Sequence, residues 1–195
     1  MFVLPEDLPL ELTPFAFLVG TWEGTGVISF DGAEHEFKQR VEFSHDGHNV
    51  LTYVSSAQLM DEKETALPSE LGYWRVARPA EAADHGPGLL PGVGQPSIQT
   101  RDDLEKLRNK AGGFDIEASI IHPSGISEHY LGQVKGARID LATALGSNRP
   151  ENAKDYTGAT RIYGLVEGAL LWAWDIAALG NPLTSHASAR LERID

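Results

Sequence analysis

The chain is predicted to be all-β: an antiparallel barrel of about ten strands, with a short N-terminal helix and one inserted loop-helix. Three observations predict this. The stretch Gly20-Thr21-Trp22-Glu23-Gly24-Thr25-Gly26 sets one large aromatic among three glycines just where an alternating pattern begins. Glycine weakens a strand interior, so this density calls for a bulge, a bend or a close backbone approach, as in the sharply bent first strand of a small closed barrel. Ten segments then carry strand character, and short turn signals separate many of them. Closing such a meander on itself removes its aggregation-prone edges.

In chain order, residues 9–19 come first. Leu10, Leu12, Phe15, Phe17 and Leu18 read as a short helix or turn that caps one barrel end, and Gly20 stops it. The strand segments are 22–30, 35–44, 49–58, 71–77, 114–122, 127–134, 138–144, 158–166, 170–178 and 185–194. Asp31-Gly32, Asp46-Gly47, Pro123-Ser124-Gly125, Lys135-Gly136, Glu167-Gly168 and Gly180-Asn181-Pro182 mark turns. Residues 1–195 are read as one barrel domain with an insertion at about 80–113, rich in Gly and Pro. Within the insertion, 100–110 reads as a helix: Thr100 caps it, Asp102 and Asp103 sit at its positive end, and Arg108 and Lys110 at its negative end. Gly112 and Gly113 stop it. A loop this long is a surface insertion, or else a lid over the barrel mouth or a partner surface.

Two late strands bear on function. Trp172 and Trp174 share one face, with Leu171, Ala173 and Asp175 on the other. The aromatic face is either core or the wall of a ligand pocket, because a barrel of about ten strands is wide enough to enclose one. In the last strand His186, Ser188 and Arg190 share a face opposite Ala187, Ala189 and Leu191. If the polar face points inward, a histidine meets open space, and if outward it is a solvated surface.

Composition narrows the function. Lys plus Arg number 16 against 28 Asp plus Glu, a net charge of −12, so neither nucleic acid nor an anionic membrane is an expected partner. Cysteine is absent, which removes disulfides, thiolate metal sites and cysteine nucleophiles. The first residues hold no basic region and no long apolar run, so no secretory signal is expected, and a cytoplasmic location is. There is no Gly-x-Ser-x-Gly elbow and no phosphate-binding loop. His35, His45, His48 and His85 fall in or near turns. His122 and His129 are too far apart for a helical two-histidine site, so no metal cluster is expected.

The seven residues from Gly20 to Gly26 fit in full the G-x-W-x-G-x-G motif of the nitrobindin family, heme-binding relatives of the fatty-acid-binding proteins and lipocalins. The segments 71–79 and 121–128, and the ending Gly180-Asn181-Pro182-Leu183-Thr184-Ser185-His186-Ala187-Ser188-Ala189-Arg190-Leu191, are similar to the same family. The resemblance implies a calycin-like barrel that holds one ferric heme b. It makes His186 the axial iron ligand and catalytic residue, with Lys154 as a heme contact. It also implies that Gly20, Trp22, Gly24 and Gly26 are the structural motif, with Arg190 or Arg193 packed across Trp22. The implied activity is nitric oxide binding and isomerisation of peroxynitrite to nitrate; the oligomeric state stays open, with a homodimer among the alternatives. A neutral imidazole on Fe(III) leaves the opposite axial position for a small ligand. The alternative is a heme-free barrel that binds a small apolar ligand without chemistry.

Overall fold

The computed structural model describes residues 7–144 and 149–195. The N-terminal segment forms a 3₁₀ helix, Leu10–Phe15, and leads directly into strand β1, Gly20–Phe30. The other strands are β2 Ala33–Ser44, β3 Leu51–Leu59, β4 Ala66–Val76, β5 Phe114–Ile121, β6 Ser127–Lys135, β7 Arg138–Thr143, β8 Tyr156–Val166, β9 Ala169–Ala178 and β10 Thr184–Arg193. Each pairs antiparallel with its sequence neighbours, and β10 returns to β1, closing the barrel. All ten strands expected from the sequence are present. Among the described residues no helix is long and apolar enough to cross a membrane.

Closure explains the opening motif. At the seam Gly24 lies opposite Leu191 and Gly26 opposite Ala189. A Cβ on Gly24 would run into the main chain of Arg190. One on Gly26 would run into the Ser188 carbonyl and meet the Phe37 ring at 2.7 Å. The two glycines therefore let β10 approach more closely than any side chain would allow. Gly20 stands at φ 125°, a conformation suited only to glycine, where the chain swings out of the helix. Trp22, 1% exposed, donates its indole N–H to the Leu18 carbonyl at 2.7 Å. The Arg193 guanidinium covers its ring at 4.6 Å and also donates to the Phe17 carbonyl at 3.1 Å. Arg193 is thus the arginine across Trp22, while Arg190 pairs with Glu192 on the surface.

The 3₁₀ helix plugs the end of the barrel where β1 begins, burying Leu12, Phe15 and Leu18 completely. Because the strands run alternately up and down, the 77–113 connection leaves β4 and enters β5 at this same plugged end. Arg78 anchors it, bridging Glu11 at 2.8 Å and Asp84 at 2.7 Å with only 7% of its side chain exposed. Of the alternatives for the insertion, a lid over the mouth is ruled out, because the insertion lies at the opposite end. Its helix is also shorter than expected. Helix α1 covers only Arg101–Glu105, with a capping box between Thr100 and Asp103. The chain has to turn into β5, so the Asn109 side chain accepts from the Ala111 and Gly113 amides, and Arg108 stacks on Phe114 instead of completing a last turn.

Replacing Gly26 with valine forces β10 off β1. The expected loss is about 2–3 kcal/mol of unfolding free energy, read by urea denaturation with circular dichroism, against about 1 kcal/mol for Gly32→Ala, where space is open and only the φ of 74° opposes a side chain.

Candidate functional site

The half of the barrel away from the plug holds a cavity of about 170 Å³. Ile28, Phe37, Val41, Leu67, Trp172 and Trp174 form most of its apolar wall, and Gln39, Ser55, Glu70, His122, Arg161 and His186 bring polar groups to it. Trp172 and Trp174 therefore line the pocket. Trp172 donates to the Gln39 amide oxygen at 2.8 Å, and Gln39 in turn donates to Ser55 at 2.9 Å, so these polar atoms are satisfied. The buried Trp174 indole nitrogen has no partner among the described residues.

His186 reaches this cavity through an irregularity that alternation does not predict. The β9–β10 register shifts between Ser185 and Ala187, leaving His186 as an extra residue on a bulge. Beyond it Ala187, Ala189 and Leu191 point into the barrel, and Ser188 and Arg190 point out. The polar face thus points outward, yet His186 turns inward beside Ala187 because the bulge breaks the period. Its ring packs edge-on against Trp174, with centroids 5.2 Å apart at 79°. Burial holds its pKa below the ordinary 6.5, opposed by a hydrogen bond to the Ser29 main chain; the Arg161 charge lowers it further and Glu70 raises it. The imidazole is therefore neutral at pH 7 and anchored at one ring position, the state a metal ligand needs.

Beside Trp174 lies a buried charge network. Arg161, on β8, forms two hydrogen bonds with Glu70 of β4, at 2.5 and 2.9 Å, and lies 3.4 Å from Glu128 of β6. Its Nε also donates to the Tyr130 hydroxyl at 3.0 Å, and its guanidinium sits 4.1 Å over the Trp174 ring. Glu128 accepts from Tyr130 at 2.6 Å and from Tyr156, and faces His122 Nε2 at 2.6 Å. Tyr53 donates to Glu70 at 2.7 Å. Burial pushes the Glu70 carboxyl up, but the Arg161 charge and hydrogen bonds outweigh it, with His122 and Tyr53 adding, and hold it down at about 2. For Glu128, burial is likewise outweighed, by the His122 hydrogen bond, Arg161 and the two tyrosines. Both carboxylates are ionised at neutral pH.

Glu70, His122 and Glu128 lie close enough together to hold a metal ion, a grouping the sequence did not announce. The Arg161 guanidinium already fills the cation position between the two carboxylates, so the cluster is an ion-pair network. A signal for it does exist in the sequence. Arg161 is in phase with buried Ala159 and Tyr163, Glu70 with Trp74 and Val76, and Glu128 with Tyr130 and Val134. Charged residues on an inward face must pair with one another. Lys154 is exposed on the β7–β8 connection, at the cavity end of the barrel, and does not line the cavity.

Replacing Arg161 with methionine leaves two buried carboxylates facing each other. Unfolding free energy at pH 7 should drop by about 3–5 kcal/mol in urea titrations. The acid limb follows from Glu70, whose folded pKa lies below its unfolded value near 4.5. Its contribution is fully present above pH 4.5 and is lost as pH falls toward 2. In Glu70→Gln the stability deficit relative to the parent should therefore shrink across that window.

A cavity walled by Phe37, Trp172 and Trp174, with the His186 imidazole brought to it, suits a largely apolar metal macrocycle. The comparisons agree. The model of the THAP4-like, heme-binding beta-barrel domain matches residues 11–193. The chain is 54% identical over 199 aligned positions to the peroxynitrite isomerase of Leifsonia xyli subsp. xyli, covering all of both chains. It is 52% identical to the peroxynitrite isomerase of Clavibacter michiganensis subsp. michiganensis, again over the whole of both. Among solved structures it is similar to Rv2717c from M. tuberculosis, with a TM-score of 0.71 and 26% identity, covering 97% of this chain and 100% of that one. The fold and these matches place the chain in the THAP4-like family of heme-binding β-barrels.

Proposed function

We propose that this chain is a peroxynitrite isomerase in which His186 is the axial ligand of ferric heme b. The observation that carries the reading is the bulge in β10, which turns a neutral, half-buried imidazole into an aromatic cavity. The relatives named peroxynitrite isomerase support it, since they match the whole chain at about half of all positions.

Ferric heme, when bound, supplies a Lewis-acidic iron that polarises a small oxyanion. The protein's part is to bind, orient and enclose. His186, steadied by the Ser29 main chain and the edge of Trp174, sets the heme orientation. Phe37, Leu67, Trp172 and Trp174 supply apolar surface and limit water. On this reading Lys154, exposed on the loop at the open end, would be a heme contact outside the cavity lining. Nitric oxide, small and uncharged, would enter the same cavity.

The test is reconstitution with hemin. The parent protein should acquire a Soret band, and His186→Ala should lose it while staying folded by circular dichroism. Stopped-flow decay of peroxynitrite should be accelerated by the loaded parent and fall to the heme-free rate in the variant. A well-folded parent that takes up no heme would refute the reading. Since burial lowers the His186 pKa, the Soret band should persist unchanged from pH 7 to below the ordinary histidine value of 6.5.

A further inference from the structure

Three polar side chains of the cavity form a chain whose direction is fixed at one end. Trp172 of β9, Gln39 of β2 and Ser55 of β3 meet across the barrel interior, and all three line the cavity. An indole nitrogen can only donate. The Gln39 atom 2.8 Å from it is therefore the amide oxygen, and the atom 2.9 Å from Ser55 Oγ is the amide nitrogen. Turning the amide over would set its N–H groups against the indole N–H. Ser55 Oγ thus accepts from Gln39, and the proton of its own hydroxyl has to point elsewhere.

Among the described residues that proton has no acceptor within reach. Glu70 sits opposite Ser55 in the β3–β4 ladder, but its oxygens are taken by Arg161 and Tyr53. Ser55 is 4% exposed, so it is shielded from bulk water. Its neighbours in the lining include Phe37, Val41, Ala57 and Leu67, none of which has a side-chain acceptor. Ser55 therefore presents a buried O–H donor to the cavity. Leaving such a donor unpaired carries a desolvation cost, which a ligand oxygen removes and a ligand without an acceptor does not. Sites of this kind discriminate strongly between ligands that make the bond and ligands that lack it.

We propose that Ser55 selects acceptor-bearing ligands in this cavity: its O–H, directed by the Trp172–Gln39 chain, donates to an oxygen of a small oxyanion such as peroxynitrite. The inference rests on the heme-binding reading above. Every oxygen of peroxynitrite, and of the nitrate formed from it, can accept, so one donor serves both. No bond is made or broken at Ser55, and its proton stays on its oxygen. Trp172 and Gln39 are positioning residues, because they decide which way that proton points.

The test compares two ligands and does not depend on turnover. The full-length protein loaded with ferric heme is titrated with fluoride, a small anion that accepts hydrogen bonds. The same protein, reduced, is titrated with carbon monoxide, a poor acceptor, and the Soret shift reports occupancy in both. Ser55→Ala should weaken fluoride about tenfold, as expected for one hydrogen bond to a charged acceptor, and change carbon monoxide less than about twofold. Ser55→Thr, which keeps the hydroxyl, should hold the parent's ratio of fluoride to carbon monoxide affinity. Trp172→Phe frees the Gln39 amide to turn over and accept the Ser55 proton, so it should lower that ratio. A Ser55→Ala protein with the parent's ratio overturns the proposal, whether both affinities stay or both fall together. A Trp172→Phe protein with the parent's ratio overturns the directing role of the chain, and the proposal with it. A protein that takes up no heme shows no Soret band, so failure of the heme reading is visible separately and takes this proposal with it.

Discussion

The rest of the structure depends on how closely β1 and β10 approach at the seam. Gly24 and Gly26 carry no side chain toward a main chain that would collide with one. A sheet that cannot close exposes two strand edges and loses its enclosed interior. Trp22 and Arg193 brace this seam from the plugged end, where the indole is tied to the 3₁₀ helix and the guanidinium lies across it. A stacked arginine of this kind contributes about 0.5–2 kcal/mol. The same closure brings the first residues of β10 against β9, and the bulge there carries His186. The opening motif thus acts on the cavity from a distance, through the strand it accommodates.

The two ends of the barrel are built for different purposes. One is sealed by Leu12, Phe15 and Leu18, with the long insertion strapped outside it through Arg78, Glu11 and Asp84. The other keeps open volume, walled by aromatics and a few polar groups. Strand parity enforces this division. An even number of alternating strands returns every second connection to the same end, so the insertion after β4 joins the plug and the β7–β8 loop with Lys154 joins the mouth.

Burying Glu70, Glu128 and Arg161 together is costly, and well-packed apolar side chains would often serve stability as well. The pairing is dense: each carboxylate has at least two donors, and Arg161 has four oxygen partners on three residues besides the face of Trp174. Such a network holds its geometry against the cavity it borders.

Much was legible from the sequence. Alternation and turn residues located ten strands, because a two-sided strand must repeat every second residue. The glycine-tryptophan motif marked the bent first strand, and Trp172 and Trp174 marked an aromatic face. His186 stood out only through the likeness of the ending to a known family. Parity alone left its direction open, and the structure resolved it by a route parity does not contain, one extra residue in the β9–β10 ladder. The network left only a phase signal in each strand, and nothing showed which charges would meet. Glu70, His122, Glu128 and Arg161 belong to β4, to the turn after β5, to β6 and to β8, and nothing local ties them together. The end of the barrel occupied by the insertion likewise followed from strand direction and not from composition. The sequence by itself determined periodicity, turns and the glycines that permit closure, since these are properties of neighbouring residues. Only the tertiary structure decided which charges meet and where His186 points, because such contacts form between residues far apart in the chain once the sheet has closed.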